Sequence, residues 1–338
     1  MSEPTAFRRL STGQHPGSGL HRFAVATAAA TLLLVVAGGL VTSTESGLSV
    51  PDWPTTYGEN PFTFPLSKWV GGIRFEHAHR LIASTVGFLT IVLAVLLARR
   101  EPRRFVRRLG YLALCAVVAQ GVLGGLTVLW LLPTAVSVAH ACLAQIFFCL
   151  AVAIAVMTSP RFIEASPPDL RAAFHRSPVA RTTAAAAAAI FLQLVLGAVM
   201  RHTHAGLAIP DFPLALGRLV PPIGSFAVGI HFAHRVGAWI VAALVAACMA
   251  RAVRARRPGL RKAAGWLCGL VALQIALGAA TVLTRKSVPV TTAHVATGAL
   301  LLAGTLALCL SSLASERRKN NVVPIRGAAV AGRASGWK

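Results

Sequence analysis

The chain has 338 residues, 55% hydrophobic and 13% charged, with a formal net charge of +23. Soluble domains average about 25% charged residues, and here the apolar residues gather into long uncharged runs, which excludes a soluble globular fold. The basic residues lie in short segments between those runs, where they read as loop anchors near anionic lipid and not as a nucleic-acid footprint.

In chain order the uncharged runs are 23–41, 81–98, 109–132, 134–157, 182–200, 236–250, 263–284 and 288–313. A spanning helix needs about 20 apolar residues. The first run exceeds a typical secretory h-region and no small-x-small cleavage pattern follows it, so it is expected to remain as a span. The run at 236–250 is short, but becomes long enough if its helix starts near Val228 and takes in His231, His234 and Arg235. The expectation is eight helices and little else. With the N-terminus inside, the inner segments hold 25 of the 33 Lys and Arg, the positive-inside bias that puts both termini in the cytoplasm. The cysteines Cys115, Cys142, Cys149, Cys248, Cys268 and Cys309 fall inside predicted spans and form no CxxC. They read as small buried thiols.

Two stretches repeat. GGLVTSTESGLSVPDWP (38–54) matches GAVMRHTHAGLAIPDFP (197–213) at an offset of 159. FEHAHR (75–80) matches IHFAHR (230–235) at 155, and AQGVLGGLTVL (119–129) matches LQIALGAATVL (273–283) at 154, the offset that also relates His140 to His294. The chain therefore reads as two halves, 1–157 and 158–338, each a four-helix bundle. An even number of spans per repeat keeps the halves parallel, related by an axis along the membrane normal.

Ionisable residues near lipid usually mark a site. His79 begins the second predicted helix and His234 the sixth. His140 and His294 lie about two turns into the fourth and eighth. All four fall toward the outer face, one pair per bundle. A lone histidine at a helix end is more often a hydrogen-bonded interface residue than a ligand, but four at matched places shift the balance toward axial haem ligands. Zinc fits less well, because its sites want three or four ligands and the H-E-x-x-H signature is absent. Copper is compatible with the residue types.

Glu76 lies three residues before His79, on the same helix face. It suits a proton-handling group over the same site, or equally a partner for Arg80 or Arg74. His77 points away from His79, and His231 replaces Glu76 in the second half. Arg80 and Arg235 are candidates for pairing with a haem propionate or for snorkelling to headgroups. His202 and His204, on an outer loop, read as solvent-facing or at most as propionate contacts. The loops ESGLSVPDWP and HAGLAIPDFP read as shaped turns at the membrane surface; simple capping explains Asp52 and Asp211 less easily than their Gly and Pro.

GLSVPDWP after the first run, EHAHR at the second, the histidine of the fourth and a degenerate second copy together resemble the haem A synthase family of bacterial and mitochondrial membrane enzymes. The likeness covers nearly all of 20–313. It implies a substrate haem O held between His79 and His140, a haem b cofactor between His234 and His294, and Glu76 as the catalytic carboxyl. It further implies oxidation of the C8 methyl by two hydroxylations, loss of water from the gem-diol to leave a formyl group, and haem A made for cytochrome oxidase. The partners it implies are a haem O synthase and an electron-transfer protein, in the bacterial cytoplasmic membrane. The chain departs from many bacterial members in lacking cysteines in the outer segment 42–74, so a thiol or disulfide step there does not carry over. Two other readings compete: a bis-histidine di-haem electron-transfer cytochrome, and a haem transporter or assembly factor. A pure electron carrier needs no carboxyl over one haem only, which favours the enzyme.

Overall fold

The computed structural model describes residues 18–165 and 169–320. Arg8, Arg9, Arg326, Arg333 and Lys338, which the charge argument places on the inner side, lie outside the described residues. The helices are α1 (Ser18–Ser43), α2 (Ile73–Arg100), α3 (Arg104–Leu129), α4 (Thr134–Met157), α5 (Pro160–Ala165), α6 (Leu170–Arg176), α7 (Pro178–His202), α8 (Phe226–Arg254), α9 (Pro258–Leu283) and α10 (Val288–Asn320). Two short 3₁₀ turns and two isolated antiparallel bridges, Thr56 with Glu59 and Ala215 with Arg218, are the other regular features among the described residues.

Eight helices, α1 to α4 and α7 to α10, are long and apolar enough to cross a bilayer. Large apolar side chains such as Phe88, Trp239 and Trp266 are exposed on them. Water would penalise those surfaces and hydrocarbon does not. The protein is a multi-pass membrane protein.

The structure adds α5 and α6 to the eight expected helices. They occupy the segment between the fourth and fifth spans, where Phe162 and Ala173 join the core that α1 to α4 share. The Asp169 carboxylate accepts the Ala172 N–H at 3.0 Å to cap α6. Ser177 accepts the Ala180 N–H at 3.3 Å to cap α7, which has proline in its first turn. The second and sixth spans also begin earlier than the uncharged runs, at Ile73 and Phe226, so His79 and His234 lie inside helices and not at their starts. The charged residues of these first turns hide the helix from a hydropathy criterion, yet they have partners in the folded loops, described below.

Helix neighbours fall into two closed rings. In one, α1 packs on α2, α2 on α3, α3 on α4, and α4 on α1. In the other, α7 packs on α8, α8 on α9, α9 on α10, and α10 on α7. The rings meet where α10 rests on α1 and α4 and where α4 touches α7. Val35, Phe148, Ala299 and Ala303 fill part of that seam. At the end of the seam nearest the C-termini of α1 and α7, Arg201 donates from Nη2 to the Gly39 carbonyl at 3.2 Å and to Ser43 Oγ at 2.8 Å, and Thr292 Oγ1 donates to the same Ser43 Oγ at 3.2 Å.

Candidate functional site

The loop after α1 and the loop after α7 are each tied to the helix that follows. Arg80 donates to the carbonyls of Val50 (2.8 Å), Asp52 (2.7 Å) and Thr55 (2.9 Å). Arg235 donates to those of Ile209 (2.9 Å), Asp211 (2.8 Å) and Leu214 (2.8 Å). Every acceptor of Arg80 has its counterpart 159 residues on. Both guanidinium forks are thus engaged by loop carbonyls, the planar multi-donor recognition at which arginine excels. Of the sequence alternatives, snorkelling or propionate pairing, neither described this use.

Within each loop an aspartate closes the turn. Asp52 accepts the N–H groups of Tyr57 (2.7 Å) and Gly58 (2.8 Å), and Asp211 those of Leu216 and Gly217 (both 2.8 Å). Tyr57 and Leu216 have φ of 52° and 53°, and Gly58 and Gly217 follow in the same left-handed region. The aromatic–proline bonds Trp53–Pro54 and Phe212–Pro213 are both cis. Burial pushes the Asp52 carboxyl up, but the Gly58 N–H, the Thr55 hydroxyl and the Tyr57 N–H together hold it below its ordinary 3.8. A depressed carboxylate stabilises the fold above its unfolded pKa and loses that contribution as pH falls through the folded value. The loop should therefore be fully held above about pH 4 and loosen below it. Asp52→Ala should speed amide exchange at Tyr57 and Gly58 about tenfold at neutral pH; unchanged exchange would show that the turn holds without the carboxylate.

Glu76 is 3% exposed. Its Oε1 accepts from Arg80 Nη2 at 2.7 Å and its Oε2 from the Val50 N–H at 2.8 Å. In the second half the Ile209 N–H, 159 residues after Val50, donates to His231 Nδ1 at 3.2 Å. One backbone donor in each loop is thus satisfied by a carboxylate in one half and by an imidazole in the other. The pairing of Glu76 with Arg80, one of two open readings of the sequence, is present. The carboxylate also lies one turn before His79 on α2.

Each of the four singled-out histidines lies against a glycine of the preceding helix. A methyl group added to Gly38 would come 3.1 Å from His79 Cε1, and one on Gly124 would come 3.2 Å from His140 Cε1. On Gly197 it would meet His234 Cε1, and on Gly278 His294 Cε1, both at 3.1 Å. These are close approaches that only glycine gives without displacement. Three histidines also meet a glutamine. Gln120 Nε2 donates to the His140 carbonyl at 2.9 Å and lies 3.4 Å from its Nε2. Gln193 Nε2 donates to the His234 carbonyl at 2.6 Å and lies 3.1 Å from its Nδ1. Gln274 Nε2 is 3.3 Å from His294 Nε2. The sequence reading missed these glutamines, although Gln120 and Gln274 stand at the same place in its matched stretches.

Two imidazoles on opposite faces of one iron stand on the order of 6 Å apart centre to centre, given metal–nitrogen bonds of about 2 Å. The rings of His234 and His294 are 6.5 Å apart, with planes at 62°. His79 and His140 lie on α2 and α4, helices of the same ring. All four residues are half-buried, and the Nδ1 atoms of His79, His140 and His294 are buried without a hydrogen-bond partner. Unsatisfied buried nitrogens call for an explanation, and a metal is one. Among the described residues no three His, Cys, Asp or Glu side chains converge as a metal site. A haem, which brings four nitrogens of its own, needs only two. The residues fit haem.

The other histidines take different places. His77 is fully buried, with Nδ1 3.1 Å from Thr56 Oγ1 and its ring among Trp69 and Phe64, at 4.8 and 5.0 Å between centroids. It anchors the loop between α1 and α2, and the matching residue in the second repeat is Phe232. His204 is exposed, while His202 is half-buried at the end of α7, its carbonyl accepting from Thr134 Oγ1 at 3.3 Å. Trp53 lies on α3, where a methyl at Gly125 would come within 2.5 Å of its Cδ2.

A family model described as COX15-CtaA, cytochrome oxidase assembly protein, matches residues 21–306. A protein of Symbiobacterium thermophilum named Heme A synthase is 33% identical over 272 residues, 77% of this chain and 84% of its own. Proteins of the same name are 29% identical in Halalkalibacterium halodurans, over 80% of this chain and 90% of theirs, and in Caulobacter vibrioides, over 82% and 91%. The match runs from the first span into the last and takes in both loops and all four seated histidines, and the chain belongs to the COX15-CtaA family of cytochrome oxidase assembly proteins.

Proposed function

We propose that the chain is a haem A synthase. It oxidises the C8 methyl of haem O to a formyl group, through two hydroxylations and loss of water from the resulting gem-diol. His79 and His140 hold the substrate haem, His234 and His294 hold a haem b, and the halves 1–157 and 158–338 are duplicated bundles with both termini in the cytoplasm. A haem O synthase supplies the substrate and an electron-transfer partner completes the redox cycle. The observation that carries the reading is the asymmetry between two otherwise matched sites: each has two histidines seated on glycines, but only the first has a carboxylate beside them. The relatives named Heme A synthase, alike over most of the chain, support it.

A haem b between His234 and His294 would supply one-electron redox chemistry. The rest falls to the chain. Arg80 and the Val50 N–H fix the Glu76 carboxylate on the helix face that carries His79, where it would serve as a proton acceptor for a haem held there. The glycine seats let the rings approach the neighbouring helices closely.

The test is direct. Membranes from cells that co-express the protein with a haem O source should yield extractable haem A; haem O left unchanged would overturn the reading. His234→Ala and His294→Ala should each abolish the low-spin haem b spectrum. A spectrum that persists in either variant would show that the ligand pair is misassigned.

A further inference from the structure

Haem carries two propionate carboxylates, and a carboxylate taken out of water needs a partner. Arg80 and Arg235, the arginines whose sequence positions suit that role, are occupied by loop carbonyls. Arg201 is placed differently. It lies in the last turn of α7, one turn after Gly197, against which His234 packs. Gln193, Gly197 and Arg201 follow one another at intervals of four and so share a face of the helix. Gln193 meets His234 from that face. The Arg201 guanidinium reaches inward, across the seam to α1, where its Nη2 makes both hydrogen bonds, to the Gly39 carbonyl and to Ser43 Oγ. Ser43 Oγ also takes the hydroxyl of Thr292, two residues before His294 on α10.

These neutral partners leave the charge uncompensated. Among the described residues no carboxylate lies within ion-pair distance of Arg201. Its Nε and Nη1 carry three further N–H groups, and none of them donates to a described protein group. The residue is half-buried. The negative end of the α7 dipole favours a cation here, but a helix end offers only a partial charge. A cation held inside a membrane protein usually faces an anion or a ligand path, and three unused N–H donors suit a carboxylate. The matching residue in the first repeat is Thr42, four residues after Gly38. Its hydroxyl is spent on the Gly38 carbonyl at 2.9 Å. The repeat therefore gives the cation to the second site alone.

We infer that Arg201 binds a propionate carboxylate of the haem held between His234 and His294; the inference rests on that proposed ligand pair. The contact neutralises a guanidinium that the protein leaves unpaired, and it turns the carboxylate edge of the haem toward the seam. The resident haem gains an ion pair that the substrate haem lacks at the matched position.

The experiment uses the purified full chain in a His79→Ala background, which confines low-spin haem to the second site. The protein is equilibrated with an excess of equal parts protohaem and protohaem dimethyl ester, whose carboxyls carry no charge, and the bound haem is extracted and resolved. With arginine at 201 the free acid should be taken over the diester roughly tenfold. Arg201→Gln should bring the ratio close to one and lower the midpoint potential of the low-spin haem, because a cation beside the haem favours its reduced form. Ser43→Ala, which removes a seam contact and leaves the charge, should keep the ratio. Should Arg201→Gln fail to accumulate, Arg201→Met, which keeps the apolar stem, is read in its place. If His234→Ala in the same background retains the low-spin haem, the ligand pair falls and the inference with it. If the pair stands, a ratio near one with arginine at 201, a ratio unchanged in the neutral variant, or an equal loss of selectivity in Ser43→Ala overturns the inference alone.

Discussion

Glu76→His should abolish conversion of haem O while leaving both bundles folded and able to bind haem. The second half supplies the reason for choosing histidine. There the same loop N–H donates to His231, and Arg235 grips its three carbonyls with no glutamate beside it. Alanine at position 76 is a poorer test. It would leave the buried Val50 N–H without an acceptor and remove one partner of Arg80, at a cost of about 1–3 kcal/mol for the N–H alone. Lost activity in Glu76→Ala could then be lost structure. With histidine the loop keeps its acceptor, so the loss reports on the carboxylate. The measurements are haem A in membrane extracts and the visible spectrum of the purified variant. Haem A at wild-type yield from Glu76→His would show that the carboxylate only holds the loop.

Gly278→Val should empty the second site as thoroughly as removal of His294. A methyl at position 278 would already sit 3.1 Å from His294 Cε1, and valine adds two γ-methyl groups in the same crowded space. The histidine must swing off its seat, and a ligand displaced by more than an ångström or so no longer completes the pair. Gly278→Ala should give an intermediate case, because the ring can yield by a few tenths of an ångström. We expect haem retention to fall about tenfold in the alanine variant and on the order of 100-fold in the valine variant. Gly269 is the control, on the same helix and with nothing near an added methyl. Gly269→Ala should leave haem content unchanged and, if anything, favour the helix by up to about 1 kcal/mol. Equal haem content in Gly278→Val and Gly269→Ala would show that the close approach of Gly278 does not matter.

The spanning helices were legible because a bilayer imposes one length and one polarity on every span. Their ends were less so: the first two turns of α2 carry Arg74, Glu76, His77, His79 and Arg80, and a hydropathy criterion stops at charge while a helix does not. Those residues are tolerated because the loop that precedes them supplies carbonyls and an N–H, a partnership between segments about 30 residues apart. For the same reason the sequence left Arg80 open between headgroup and propionate. Three convergent carbonyls have no signature in the order of residues. The glutamines were visible but mute. A single Gln in an apolar run has no periodicity, and its use appears only when the helix carrying the histidine is laid beside it. The four glycines would have been found by asking why the matched stretches keep small residues one turn after Gln120, Gln193, Gln274 and Leu34.

The helix α10, which carries His294, packs directly on α4, which carries His140, and on α1, whose Gly38 seats His79. Packed helices have axes about 8–10 Å apart. The two histidine pairs therefore stand on helices that touch across the seam. A change in the packing of this seam would therefore be felt at both proposed haem sites, so the contact between the two rings of helices couples them as well as holding them together.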